Sequence, residues 1–134
     1  MKVNFIADND LILASNQTVA TSAAGNNSTG YIDLGADYIN MPSFLALFDV
    51  GTTDFGDGDE TYKLEIQASN ATNFATIEGS SSVTFSSQAE IDAYKLQIPV
   101  PFVAAGRYVR AYITVSGTGP SIVIEQAQLT GEGL

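Results

Sequence analysis

The chain contains no cysteine and no histidine. The first absence excludes a disulfide framework, a thiolate metal site and a cysteine nucleophile together. The second removes the commonest general base and the commonest transition-metal ligand. Tryptophan is missing as well, and positive charge is scarce: five Lys and Arg stand against 15 Asp and Glu, a net charge of −10. A surface that acidic repels phosphate backbones and anionic membranes, so neither nucleic acid nor membrane is expected as a partner. No stretch approaches the ~20 apolar residues of a membrane span. The one early apolar run, residues 11–14, is too short for a signal-peptide core, and Asp8 and Asp10 stand where a signal would carry positive charge. A soluble chain without a signal peptide is the expectation.

What is present describes one β domain. The length of 134 residues suits a single core, and seven Phe and six Tyr supply bulk for it. Residues 62–69 place Tyr62, Leu64, Ile66 and Ala68 on one side and polar residues on the other, the period of a strand with one wet face. Residues 94–101 repeat the pattern with Pro99 and Pro101 on outward positions. Proline cannot donate to a ladder, so that strand is expected at a sheet edge. Residues 107–115 alternate too, and 121–129 begin a last strand at Ser121-Ile122-Val123-Ile124. Residues 44–50 are apolar apart from Asp49, the pattern of a strand covered on both faces.

Shorter strand candidates are 11–14, 18–22, 31–34, 74–78 and 83–85. Turn compositions separate them, among them Ser80-Ser81-Ser82, Ala104-Ala105-Gly106 and Gly117-Thr118-Gly119-Pro120. Residues 88–93 suit one helical turn. About eight short antiparallel strands at this spacing imply an all-β fold, a single β-sandwich or jelly roll. Residues 1–28, small and polar, are expected to form an N-terminal arm and the first strand or strands, with 29–134 making the sandwich.

The densest chemistry lies in residues 53–62, TDFGDGDETY. Asp57, Asp59 and Glu60 offer the oxygens that calcium prefers. Counted from Asp57, however, the EF-hand positions for glycine and the bidentate glutamate fall on Tyr62 and Ala68, so that template fails. Glycine and aspartate tolerate positive φ, and a solvated turn accounts for the same residues. Asp57, Asp59 and Glu60 therefore stand as a candidate metal loop, while no cofactor and no assigned metal are expected. Nor can a base, a nucleophile and an oxyanion donor be assembled, so the chain is not expected to be an enzyme. Lys63 and Lys95 read as solvated, and Glu65 as part of a surface row.

Tyr108, Arg110 and Tyr112 form a row along one strand face. It is read either as a partner-contact or sugar-stacking surface, or as a second buried face with Arg110 at its rim. Lys2, Val3, Phe5 and Ile6 put apolar groups and a positive charge at the N-terminus. They are further contact candidates, or else simply the start of the first strand.

Three pieces carry a family resemblance. They are Asp10-Leu11-Ile12-Leu13-Ala14-Ser15-Asn16-Gln17-Thr18-Val19 with Tyr31-Ile32-Asp33-Leu34-Gly35; Tyr62-Lys63-Leu64-Glu65-Ile66-Gln67-Ala68-Ser69-Asn70 with Phe74; and Leu96-Gln97-Ile98-Pro99-Val100-Pro101 with Gly106-Arg107-Tyr108-Val109-Arg110. In that order the chain resembles the capsid cement, or decoration, proteins of tailed bacteriophages. The resemblance implies a jelly roll on the outer capsid surface, made in the host cytoplasm and joining the virion. Its implied partners are the major capsid protein and itself, as a symmetric dimer or trimer. It implies no catalytic residues. The segment Ile66-Gln67-Ala68-Ser69-Asn70 also resembles discoidin-type sandwiches, which gives the alternative of a carbohydrate-binding module, a phage accessory that recognises host glycans.

Overall fold

A computed structural model of the chain describes residues 11–27, 29–35, 43–95, 97–103 and 105–131. Nine strands and one short helix follow in order: β1 (Ile12–Val19), β2 (Ala23–Ala24), β3 (Ile32–Asp33), β4 (Phe44–Thr53), β5 (Thr61–Ser69), β6 (Gly79–Phe85), α1 (Gln88–Asp92), β7 (Ile98–Phe102), β8 (Tyr108–Ser116) and β9 (Ile122–Gly131). They build two antiparallel sheets. One runs β1-β9-β4-β7; the other runs β2-β8-β5-β6, with β3 also pairing β8. With β2 and β3 taken as one broken edge strand, this is the eight-strand order of a jelly roll. The fold is an all-β sandwich.

Period two builds the core. Leu64, Ile66 and Ala68 of β5 face Ile113, Ala111 and Val109 of β8, and all six are buried. Phe44, Ala46 and Phe48 of β4 point inward from the opposite sheet, beside Leu129 and Ala127 of β9. Side chains from both inner faces make one core. Fully burying one such side chain contributes roughly 1.5–3 kcal/mol, so a bilayer of this size outweighs any single polar contact in the molecule.

Several expectations shift. Strand 94–101 begins only at Ile98, because α1 precedes it and Lys95, at φ 66, turns the chain out of the helix. Pro99 and Pro101 remain exposed on β7, which is an edge strand. Residues 74–78 are not a strand: the hydroxyl of Ser69 donates to Thr76 O at 2.7 Å, and Asn73 Oδ1 accepts from Ala75 N at 3.0 Å. These bonds hold a loop there. Ser80-Ser81-Ser82, expected to separate strands, lies inside β6. A wet edge strand needs few apolar residues, which is why the serines read as a turn. Strand β4 is buried on one face and half-buried on the other.

The expected arm divides. Residues 1–10 lie outside the described residues, whereas β1 and β2 contribute to the two sheets, with Leu13, Ala14 and Val19 in the core.

Candidate functional site

The outer face of the β8-β5-β6 sheet carries the Tyr108, Arg110 and Tyr112 row. These side chains point away from the core because Val109, Ala111 and Ile113 between them point into it. All three are half-buried, so the row is neither a second core face nor a fully exposed one. Arg110 is the third of the nine residues of β8. Its guanidinium lies 4.4 Å from the Phe74 ring centre and 5.0 Å from that of Tyr112, and Nε donates to Gln67 Oε1 at 2.8 Å. Burial lowers the Arg110 pKa from its ordinary value, against the opposing influence of Tyr112 and Glu65.

Phe74 is the residue that sequence reasoning missed here. It is 6% exposed and adopts φ 53, a conformation rare for a bulky side chain. The loop after β5 holds it there: Phe74 N donates to Ala71 O at 3.1 Å, and Ser69 Oγ accepts from Ala71 N at 3.1 Å. No local signal marks an aromatic that folds back over a neighbouring strand's arginine.

At the end of the row Arg107 grips Asp33 through two bonds, Nε to Oδ1 at 2.7 Å and Nη2 to Oδ2 at 2.9 Å. The Arg107 hydrogen bond, followed by one from Gly35 N, holds the Asp33 carboxyl below its usual range. The same guanidinium lies 5.4 Å from the Tyr108 ring centre, and Tyr31 meets that ring edge-on at 5.3 Å. Lys63 and Glu65 pair at 3.6 Å farther along the face. Three of the chain's five cations, Lys63, Arg107 and Arg110, thus gather on one face of an otherwise acidic molecule. A cation occupies one side of each of Tyr108 and Tyr112, which shortens the platform a sugar ring would need.

The acidic loop is a knot of backbone bonds. Glu60 is not exposed on the loop: it is 1% exposed, and its carboxylate accepts from Asp57 N at 3.1 Å and Gly58 N at 3.0 Å. Asp59 reaches the β8–β9 turn, where it accepts from Thr118 N at 3.0 Å and Thr118 Oγ1 at 2.7 Å. Those bonds lower its pKa. Asp57 is raised, first by desolvation and then by the charge of Glu60. Asp54 accepts from Gly56 N at 2.7 Å, and the Tyr62 hydroxyl donates to Asp54 O while accepting from Ser121 N at 3.0 Å. Asp59 and Glu60 therefore point to different partners. Among the described residues no group of three or more such side chains is placed to hold a metal ion.

The remaining contact candidates, Lys2, Val3, Phe5 and Ile6, lie outside the described residues. Compared with models of known families and with curated proteins, the chain matches none.

Proposed function

We propose that this protein is a capsid cement protein of a tailed phage head, seated on the outer surface and holding neighbouring major capsid subunits together without chemistry of its own. The observation that carries the reading is the coincidence of fold and face. The segments that resemble cement proteins contain the strands β1, β3, β5 and β7 and the start of β8, all set in jelly-roll order. The outer face of β8 carries Tyr108, Arg110 and Tyr112. Aromatic residues and arginine are the side chains that protein interfaces favour, and an arginine already held between rings loses less freedom on docking. An acidic exterior suits a position away from the packed DNA.

The test is binding to heads assembled without the protein, read by co-sedimentation and electron microscopy. The full chain should decorate them and raise their resistance to heat. Arg110→Ala should weaken decoration by roughly tenfold or more, the size of an interface hot spot. Decoration unchanged by Arg110→Ala would remove this face from the reading. No binding of the full chain to any such head would overturn the reading itself. Removal of residues 1–7 reads the terminal candidates in the same assay, with unimpaired binding excluding them.

A further inference from the structure

A sheet edge is a row of backbone donors and acceptors without a partner strand, and two open sheets have four such edges. Three are closed in this molecule, each by a different device. On β7, Pro99 and Pro101 lack N–H groups altogether. On β1, the Asn26 side chain does what a neighbouring strand would do: Oδ1 accepts from Ser15 N at 2.8 Å and Nδ2 donates to Ser15 O at 2.9 Å. Asn27 N adds a bond to Leu13 O at 3.3 Å. The β2 and β3 edge is broken into two strands of two residues each.

The fourth edge, β6, carries none of these devices. It pairs with β5 continuously from Phe85 opposite Tyr62 to Gly79 opposite Ala68, without a bulge along that run. It contains no proline and no charged residue, and Ser80, Ser82 and Thr84 are exposed. Alternate residues of such a strand direct N–H and C=O at the open side. Length, regularity and neutrality together make it the template that the other edges avoid presenting.

We infer that β6 pairs antiparallel with the β6 of a second copy across a two-fold axis centred on Ser82, joining two sheets into one. Self-complementary side chains select the occupant, and charge restricts where it docks. Two molecules each carrying −10 repel, so they can approach closely only along a neutral strip. In this register Ser82 meets Ser82 and Ser80 meets Thr84 along a neutral run, and the acids Glu78 and Glu90, the latter held on Ser86 N at 2.6 Å, meet only at its two ends. The nearest acid on the same face, Glu65 beside Ser82, would stand three strand spacings from its equivalent, roughly 14 Å, beyond the ~8–10 Å reach of charge in physiological salt.

The apolar residues agree. Ile77, 39% exposed, lies just before β6, and Tyr94, 41% exposed, stands edge-on to Phe85 at its other end. A two-fold axis through Ser82 brings Ile77 of one copy toward Tyr94 of the other. Beside Tyr94 a groove of about 460 Å³, lined by Val83, Thr84, Phe85, Glu90 and Ala93, receives the small residues that begin the second strand.

This pairing is independent of the capsid reading and is tested in solution. Sedimentation should show a dimer. Ser82→Lys places two ammonium groups against each other at the axis and should leave a monomer. Because the chain has no native cysteine, Ser82→Cys gives a clean cross-link: facing Cα atoms in an antiparallel pair are ~4.5–5.5 Å apart, within disulfide range. Mild oxidation should therefore yield a reducible dimer, and the exposed control Thr72→Cys should not. Circular dichroism checks that Ser82→Lys folds; if it does not, the two cysteine variants decide alone. A wild-type monomer at all concentrations, a dimer that survives Ser82→Lys, or equal cross-linking at residues 72 and 82 would overturn the inference.

Discussion

Glu60 and Asp59 are neighbours in the chain, and the fold uses them in opposite directions. Asp59 turns outward to the Thr118 backbone and hydroxyl, whereas Glu60 turns inward to cap the N–H groups of its own turn. Gly58, at φ 80, allows the chain to close so tightly. Gly117, at φ 100, is needed because a side chain there would meet Asp59 O at 2.5 Å. A donor left without its acceptor costs about 1–3 kcal/mol, and Glu60→Ala takes the acceptor from Asp57 N while Gly58 N keeps Phe55 O at 3.2 Å, so the variant should be destabilised by about 1–3 kcal/mol. Denaturant unfolding reads this, with Asp57→Asn as the control. Because the pKa of Asp57 is raised, its charge opposes folding at neutral pH, and the control should be neutral or slightly stabilised. A Glu60→Ala variant as stable as the parent would show that the carboxylate does not hold the loop.

At the scale of elements, position in the sheet orders stability. β9 and β4 are interior strands of one sheet, and β8 and β5 are interior strands of the other. Each is bonded on both sides, whereas β2 and β3 hold only a few ladder bonds at an edge. Amide exchange should therefore be slowest in the middles of β4, β5, β8 and β9 and fastest in β2 and β3. Protection of β2 equal to that of β5 would contradict this ordering. The short helix α1 is fixed locally: Ser87 caps it by accepting from Glu90 N, and Glu90 Oε1 accepts from Ser86 N at 2.6 Å. Ser-x-x-Glu before an apolar residue is a sequence signature of a helix start, and Ser87 to Ile91 carry it.

For the whole molecule, net charge is the dominant electrostatic fact. Fifteen carboxylates against five cations repel one another, and salt screens that repulsion. Sodium chloride should raise the thermal midpoint modestly. Millimolar calcium at matched ionic strength should add nothing, and neither should a chelator remove anything, because the Asp59 and Glu60 carboxylates already bind the protein's own N–H groups. A specific ion would instead stabilise the native state by mass action. A rise of several degrees with calcium alone would establish a site that the geometry of Asp57, Asp59 and Glu60 does not suggest.

The sequence by itself determined the β class, the inward faces of β5 and β8 and the edge position of β7. Period-two alternation and the missing N–H of proline are properties of a segment read alone, whatever it packs against. Tertiary structure decided the rest, because the rest depends on residues distant in the chain. Glu60 looked like a surface acid until the turn closed over it. Serines 80–82 looked like a turn until β5 paired with them. Arg110 acquired its ring partner from a loop 36 residues earlier, at Phe74, and Asn26 closes an edge that belongs to β1. Burial and pairing are relations between strands, and a single strand's pattern carries only its own half of each.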